Sequence, residues 1–169
     1  MMKVNFFAME HRREPIKQDS LLGICDPEGE KYAYTTSDKN CTDKWCATIH
    51  NPHRKGLLFI AVDKNIEILR PNGEQENRCD GMIYVPATKE LSFVELKDSR
   101  TAYVDSAEKQ LLKTLEYFLA NHNYKDYNNR RAFACNPSHP HFAVSARNRI
   151  SDFYRLTHFR LMPQAIINF

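Results

Sequence analysis

The sequence predicts a mixed fold of β-strands and α-helices, of the α/β or α+β class, and three observations support this. Short apolar runs bounded by turn residues predict strands at 57–62, 78–85 and 91–97. The stretch 105–119 repeats apolar residues at helical spacing. The chain has 169 residues, which is enough for one domain with its own hydrophobic core.

The predicted single domain, 1–169, has three parts. Its core spans about 57–136, a polar segment at 1–56 packs on that core, and 137–169 forms a basic extension. Turn residues dominate the first part, where a short helix is expected over 42–50.

Strands are expected to make up most of the core. The strand 57–62 is followed by a tight turn and a second strand at 66–69. The strands 78–85 and 91–97 come next and are joined by a short turn. The remaining elements expected are a strand at 131–135, a helix at 147–157 and a short strand at 165–169.

The helix predicted after these strands has the clearest pattern. Asp105 and Glu108 stand at the spacing of a capping box, which predicts that the helix begins there. Apolar residues three and four positions apart form one stripe that would face the sheet. The stripe consists of Ala107, Leu111, Leu115 and Phe118.

The composition is typical of a soluble protein, because 42% of the residues are hydrophobic and 27% are charged. No apolar run approaches the roughly 18 residues that a membrane span needs, and the first residues do not form a secretory signal. The five cysteines are irregularly spaced and are expected to be reduced. A cytoplasmic protein without a membrane partner is therefore expected.

Positive charge is concentrated near the end of the sequence. The net charge is only +3, but beyond residue 129 arginines accumulate and Asp152 is the only acid. Arginine binds phosphate bidentately, so this pattern indicates either a nucleic-acid partner or a solvated basic face. The arginines expected to contact nucleic acid are Arg78, Arg100, Arg130, Arg131, Arg147 and Arg149.

Asp80, Glu95 and Lys97 form the most informative pattern in the chain. Asp80 belongs to the strand 78–85, and the other two belong to 91–97. Because strand side chains alternate between faces, Glu95 and Lys97 project the same way. Apolar strands rarely contain charged residues unless these are paired or bind a cation. The alternative to a cation site is a cross-strand ion pair between Lys97 and one of the acids.

Two carboxylates and an amine match the needs of metal-dependent phosphodiester cleavage. Mg²⁺ and Mn²⁺ prefer carboxylate and carbonyl oxygens, and such a cation polarises phosphate and lowers the pKa of bound water. Asp80 and Glu95 would supply carboxylates and Leu96 its backbone carbonyl. Lys97 would orient or help deprotonate the attacking water. No Gly-rich phosphate loop, GxSxG or HExxH motif occurs, which excludes nucleotide-triphosphatase, serine-hydrolase and zincin classes.

The order of motif and elements resembles the PD-(D/E)XK nuclease superfamily, the restriction-endonuclease-like nucleases, over roughly half the chain. The resemblance implies an αβββαβ core with a mixed sheet of four or more strands flanked by helices. It implies Mg²⁺ or Mn²⁺ as cofactor and hydrolysis of DNA or, less often, RNA. Asp80 and Glu95 would then be metal ligands, and Lys97 would activate water.

The resemblance extends to the helix that follows the motif. Gln110 matches the glutamine of the exonuclease-like subgroup, but the tyrosine of that subgroup would fall at Thr114, so no subgroup is assigned. Many members also carry an acid on the first core helix. The candidates for that acid here are Glu28, Asp43 and Glu76.

A second metal site is suggested by cysteines and histidines in the first part of the chain. Zinc binds Cys and His in tetrahedral sets, and Cys46, His50 and His53 would share one face if 42–50 were helical. The alternative is two buried thiols and two surface histidines. The residues of this zinc hypothesis are Cys41, Cys46, His50 and His53.

Three functions follow from these patterns. The first is a divalent-metal-dependent nuclease, and the second is an inactive nuclease-like subunit that binds nucleic acid or protein. The third is a small protein stabilised by zinc. Since one small domain offers little surface for target recognition, a homodimer or a partner subunit is also expected.

Overall fold

Two mixed β-sheets pack against each other in the computed structural model, which describes residues 2–97, 103–138 and 147–169 without the side chains of Tyr103 and Arg147. The described helices are α1 (Tyr103–Asn121) and α2 (Arg147–Thr157), with short 3₁₀ turns at Met9–His11, Lys39–Lys44 and Tyr124–Asp126. The strands are β1 (Leu21–Cys25), β2 (Tyr34–Thr36), β3 (Ala47–His50), β4 (Leu58–Ala61), β5 (Gly81–Val85), β6 (Glu90–Leu96), β7 (Asn128–Cys135), β8 (Arg160–Met162) and β9 (Ile166–Asn168).

The larger sheet has the order β4-β5-β6-β7-β8. Strands β4, β5 and β6 are antiparallel neighbours, and β6, β7 and β8 run parallel. A two-stranded hairpin needs only the short turn between β5 and β6, whereas the parallel step from β6 to β7 needs a crossover, which α1 supplies. The fold is therefore α+β, as the sequence predicted at the level of class.

The alternation of side chains along β5 and β6 buries both faces of this sheet. Met82 and Phe93 belong to the apolar cluster beneath α1, while Ile83 and Val94 belong to the cluster between the two sheets. The predicted stripe on α1 is confirmed, because all four of its residues are fully buried. The helix nevertheless begins at Tyr103, so Asp105 lies within its first turn and does not cap it.

The smaller sheet has the order β2-β1-β3-β9 and was not predicted as a sheet. The helix expected over 42–50 is wrong, because a 3₁₀ turn ends at Lys44 and β3 follows. In β3 the residues Ala47 and Ile49 are buried and alternate with more exposed ones, which is strand periodicity. The predicted short strand near the end of the sequence is confirmed as β9, which pairs with β3 in parallel.

The two sheets share one apolar interior, and that interior fixes how they pack. The side chains that meet there are Leu22, Ile49 and Ile167 from the smaller sheet, and Phe59, Val94 and Phe133 from the larger one. Burial of this surface contributes roughly 25 cal/mol per Å² of apolar area.

Three sequence predictions of individual elements need comment. The strand expected at 66–69 is wrong, because Leu69 forms only an isolated bridge with Gln75. The turn at Pro71 and Gly73 cuts that segment short, and burial of Ile66 and Ile68 holds it in place. Residues 2–57 contain 3₁₀ turns and strands but no α-helix, so the first core helix implied by the resemblance is not seen. The helix predicted at 147–157 is confirmed as α2.

Neither of the α-helices that the structure describes is long and apolar enough to cross a membrane.

Candidate metal centre

Asp80, directly before β5, and Glu95 of β6 lie next to each other. Gly81 at the start of β5 pairs with Val94 of β6, so the same register continued by one residue places Asp80 opposite Glu95. Side chains directly opposite in an antiparallel pair have Cβ atoms about 4.5–5.5 Å apart and share a face. The two acids that are 15 positions apart in sequence are thus brought together at one end of the sheet.

The backbone of Leu96 holds the first of these carboxylates in place. The Leu96 N–H donates to Asp80 Oδ2 at 2.5 Å. Since the N–H and C=O groups of one strand residue project to the same side, the Leu96 carbonyl also faces the strand of Asp80. The carbonyl predicted as a third oxygen therefore lies on the same side as the first acid.

Glu95 is a buried carboxylate that is only half paired. Its side chain is 1% exposed, and Oε1 pairs with Lys97 Nζ at 2.6 Å. The other oxygen, Oε2, is buried without a hydrogen-bond partner among the described residues. Burial and the neighbouring Asp80 charge raise the pKa of Glu95 to about 8, although the hydrogen bond and charge of Lys97 act to lower it. Burial also raises the pKa of Asp80 to about 6, although the Leu96 N–H opposes the shift.

Lys97 and Gln110 join this pair as the sequence pattern suggested. Lys97 Nζ donates to Gln110 Oε1 at 2.5 Å, and Gln110 Nε2 donates to the Arg78 carbonyl at 3.1 Å. The lysine side chain is 23% exposed, so its ammonium group lies at the boundary between the buried acids and solvent. Lys97 thus connects Glu95 to Gln110 of α1, and Asp80 is joined to the same strand end by its bond to the Leu96 backbone.

Two further acids near this group were not selected from the sequence. The charges of Asp26 and Asp63 both raise the pKa of Asp80. Asp63 follows β4 after one residue, and Asp26 directly follows β1 of the other sheet. The signal that could have found them is an aspartate at the end of an apolar strand. No group of three or more His, Cys, Asp or Glu residues within 2–97, 103–138 and 147–169 is placed to hold a metal ion.

The three candidates for an acid on the first core helix do not lie at the site. Glu28 and Asp43 are exposed. Glu76 pairs with Arg70 at 3.1 Å in the connection between β4 and β5.

Two of the arginines expected to bind phosphate are engaged in ion pairs. Arg78 is 10% exposed and pairs with Asp63 at 3.2 Å. Arg149 of α2 pairs with Asp105 and, at 3.1 Å, with Glu108, both on α1. These ion pairs hold parts of the fold together. They explain the positions of the two arginines without any contact to phosphate.

Two other arginines of that set stabilise β7 and its surroundings. Arg130 donates to the carbonyl oxygens of Tyr124, Tyr127 and His158. Arg131 donates to the Asn168 carbonyl and lies against the rings of Phe133 and Phe169. Arg100 and the side chain of Arg147 lie outside the described part of the chain.

The zinc hypothesis is not supported by the placement of its residues. Cys46 precedes β3 and His50 ends it, so at about 3.3 Å per residue an extended chain separates them by roughly 13 Å. His50 and His53 are exposed. The helix that would have placed them on one face is replaced by a strand.

No protein-family model matches this chain, and neither the curated proteins nor the solved structures include a match.

Proposed function

We propose that this protein is a divalent-cation-dependent nuclease that hydrolyses phosphodiester bonds, with DNA as the expected substrate and RNA as the alternative. One observation carries the proposal: Glu95 Oε2 is buried without a partner among the described residues, and the Asp80 carboxylate lies beside it. An ionised carboxylate costs several kcal/mol to bury unless it is paired. The neighbouring Asp80 is partly buried, and two carboxylates side by side favour a cation between them.

The donor set fits a hard divalent cation. Asp80, Glu95 and the Leu96 carbonyl offer only oxygen ligands, which suits Mg²⁺ or Mn²⁺ and not zinc. Mg²⁺ keeps several of its waters, so two protein carboxylates are enough to hold it. When bound, such a cation polarises the phosphate and lowers the pKa of a coordinated water.

Lys97 has the contacts of a residue that assists the reaction. Its ammonium group has three N–H donors, of which one points to Glu95 Oε1 and one to Gln110 Oε1. We assign the third to the attacking water or a phosphoryl oxygen. Because Lys97 neutralises only one Glu95 oxygen, it holds that carboxylate in place while Oε2 faces the proposed cation.

The order of the elements also supports the resemblance to PD-(D/E)XK nucleases. Strands β4, β5 and β6, the crossover helix α1 and the parallel strand β7 follow one another as in the last five elements of αβββαβ. Asp80 precedes β5, Glu95 lies near the end of β6, and Gln110 lies on α1.

An inactive nucleic-acid-binding subunit fits the site less well. The two carboxylates would repel a phosphate unless a cation lay between them. Arg78, Arg130, Arg131 and Arg149 all have intramolecular partners. Binding without a cation would therefore have to use other surfaces.

The test is cleavage of plasmid DNA, linear DNA, single-stranded DNA and RNA by the purified protein with Mg²⁺, Mn²⁺ or EDTA. We expect cation-dependent cutting that is lost in Asp80→Asn, Glu95→Gln and Lys97→Met. The matched control is Glu116→Gln, which removes an exposed carboxylate that pairs with Lys113 on the surface of α1. Cutting that persists in all three site variants would overturn the proposal, as would the absence of cutting of every substrate with either cation.

A further inference from the structure

Arg78 clamps the connection between β4 and β5. Its Nε and Nη2 donate to Asp63 Oδ1 at 3.3 and 3.2 Å. Its Nη1 donates to the Ile66 carbonyl at 3.2 Å and also to the Gln75 side chain. All of these partners belong to the same connection, so the guanidinium is used to fix the path of the chain just before Asp80.

The backbone of the same residue leads to Lys97. The Arg78 carbonyl accepts from Gln110 Nε2 at 3.1 Å, and Gln110 Oε1 accepts from Lys97 Nζ at 2.5 Å. An ammonium group can only donate, and a carbonyl can only accept. The Arg78 carbonyl therefore fixes the amide of Gln110 with its oxygen toward Lys97.

A second contact aligns the helix with the same segment. Cys79 N donates to Thr114 Oγ1 at 2.7 Å, and Thr114 Oγ1 donates to the Gln110 carbonyl at 2.9 Å. Residues 110 and 114 are one helical turn apart. The carbonyl of Arg78 and the N–H of Cys79 are thus hydrogen-bonded to side chains one helical turn apart on α1.

We infer that the Asp63–Arg78 pair is a positioning element of the proposed active site. The pair fixes the Arg78 carbonyl, which orients the Gln110 amide and, through that amide, Lys97. The inference rests on the proposed nuclease function. It gives Arg78 a role different from the phosphate contact that the sequence suggested. Asp63 and Arg78 position Gln110 without touching the substrate, and the charge of Asp63 in addition acts on Asp80.

Kinetics of Asp63→Asn and Arg78→Met test this role, with Arg70→Met as the matched control. Arg70 pairs with Glu76 in the same connection and has no bond to Gln110. At a temperature where circular dichroism shows full folding, we expect kcat to fall about 10-fold in both site variants, with KM unchanged, because small misplacements cost one or two orders of magnitude. Arg70→Met should keep the parent kcat.

A phosphate contact predicts a different result for Arg78→Met. KM would rise while kcat stayed constant, and the dependence of binding on salt would weaken by about one phosphate contact. That outcome would overturn the inference. If Arg78→Met does not fold, Asp63→Asn decides between the two roles. It weakens the ion pair but keeps the guanidinium, so a lower kcat supports the positioning role, whereas an unchanged kcat with an unchanged or lower KM would overturn the inference.

A readout that needs no cleavage separates this inference from the proposed function. NMR would follow exchange with water of the Gln110 side-chain amide protons and the Lys97 ammonium protons. We expect slow exchange in the parent protein and in Arg70→Met, and faster exchange in Asp63→Asn. Unchanged exchange in Asp63→Asn would overturn the positioning role, even in a protein that cuts nucleic acid. A protein that cuts nothing but shows the expected exchange would contradict only the nuclease proposal.

Discussion

Strand β6 carries one buried glutamate near each end, and the pKa values of the two are shifted in opposite directions. Glu90 at the start is 7% exposed and Glu95 near the end is 1% exposed. Burial raises the pKa of both residues, but hydrogen bonds from Lys55, Asn129 and Thr88 outweigh it at Glu90 and lower the pKa to about 2. At Glu95 the pKa is raised to about 8.

The two pKa values differ because the two carboxylates differ in how many of their oxygens have hydrogen-bond partners. At Glu90, Oε1 accepts from Lys55 at 2.6 Å and Thr88 at 2.7 Å, and Oε2 accepts from Asn129 at 2.9 Å. At Glu95, Oε1 is paired and Oε2 has no partner among the described residues. A buried charge whose partners are complete contributes to the fold, whereas an incompletely paired one is a candidate for binding a ligand.

The largest expected effect is on catalysis. Glu95→Gln should lower cation-dependent cleavage by about 1,000-fold, because it removes an anionic ligand from the proposed cation site. Glu90→Gln should leave cleavage within about 2-fold of the parent under folded conditions. Single-turnover cleavage of plasmid DNA measures both, and equal losses in the two variants would erase the functional distinction between the two ends.

The next effect is on stability and concerns Glu90. Its folded-state pKa lies below the ordinary value of 4.5, so the stabilisation is present above pH 4.5 and is lost as the pH falls toward 2. Glu90→Gln should therefore cost about 3 kcal/mol at pH 7, from a shift of about 2.5 pKa units. Urea denaturation at pH 7 and pH 3 measures this cost, which should shrink at the lower pH. An equal cost at both values would show that packing, and not charge, holds Glu90.

The opposite pH dependence is expected from Glu95. Its folded-state pKa is raised from 4.5 to about 8, so between these values the native state binds a proton that the unfolded chain has released. Without a divalent cation, stability should fall as pH rises, by up to about 1.4 kcal/mol per pH unit. Denaturation of the parent and of Glu95→Gln from pH 5 to pH 8 should give a clearly shallower slope for the variant. Parallel slopes would remove Glu95 as the cause.

The smallest expected effect is stabilisation by the cation itself. At pH 8, 10 mM Mg²⁺ with a Kd near 1 mM would stabilise the parent by about 1.4 kcal/mol. For a chain of this size that raises the Tm by about 3–5 °C. Thermal denaturation in Mg²⁺ and in EDTA should show the shift in the parent and in Glu90→Gln but not in Glu95→Gln. A shift that survives in Glu95→Gln would place the bound cation elsewhere.

Local pattern was enough to predict four of the five strands of the larger sheet and both described α-helices, whereas β8 was not predicted. The β5–β6 hairpin, the buried stripe of α1 and the helix α2 were all expected, because each depends on periodicity within a short window. The predictions failed where a segment is ordered by distant partners. Strand β3 forms where the helix over 42–50 was predicted, because its pairing with β1 and β9 involves residues far away in the chain.

By itself, the sequence determined which residues are candidates for the site: Asp80, Glu95 and Lys97 were identified from their types and spacing, and Gln110 from the resemblance to PD-(D/E)XK nucleases. Only the tertiary structure decided how each charge is used. It pairs Arg78 with Asp63, gives both Glu90 oxygens partners and leaves Glu95 Oε2 without one among the described residues. The physical reason is that burial and hydrogen-bond partners set the energy of a charge, and both are supplied by residues that only folding brings into contact.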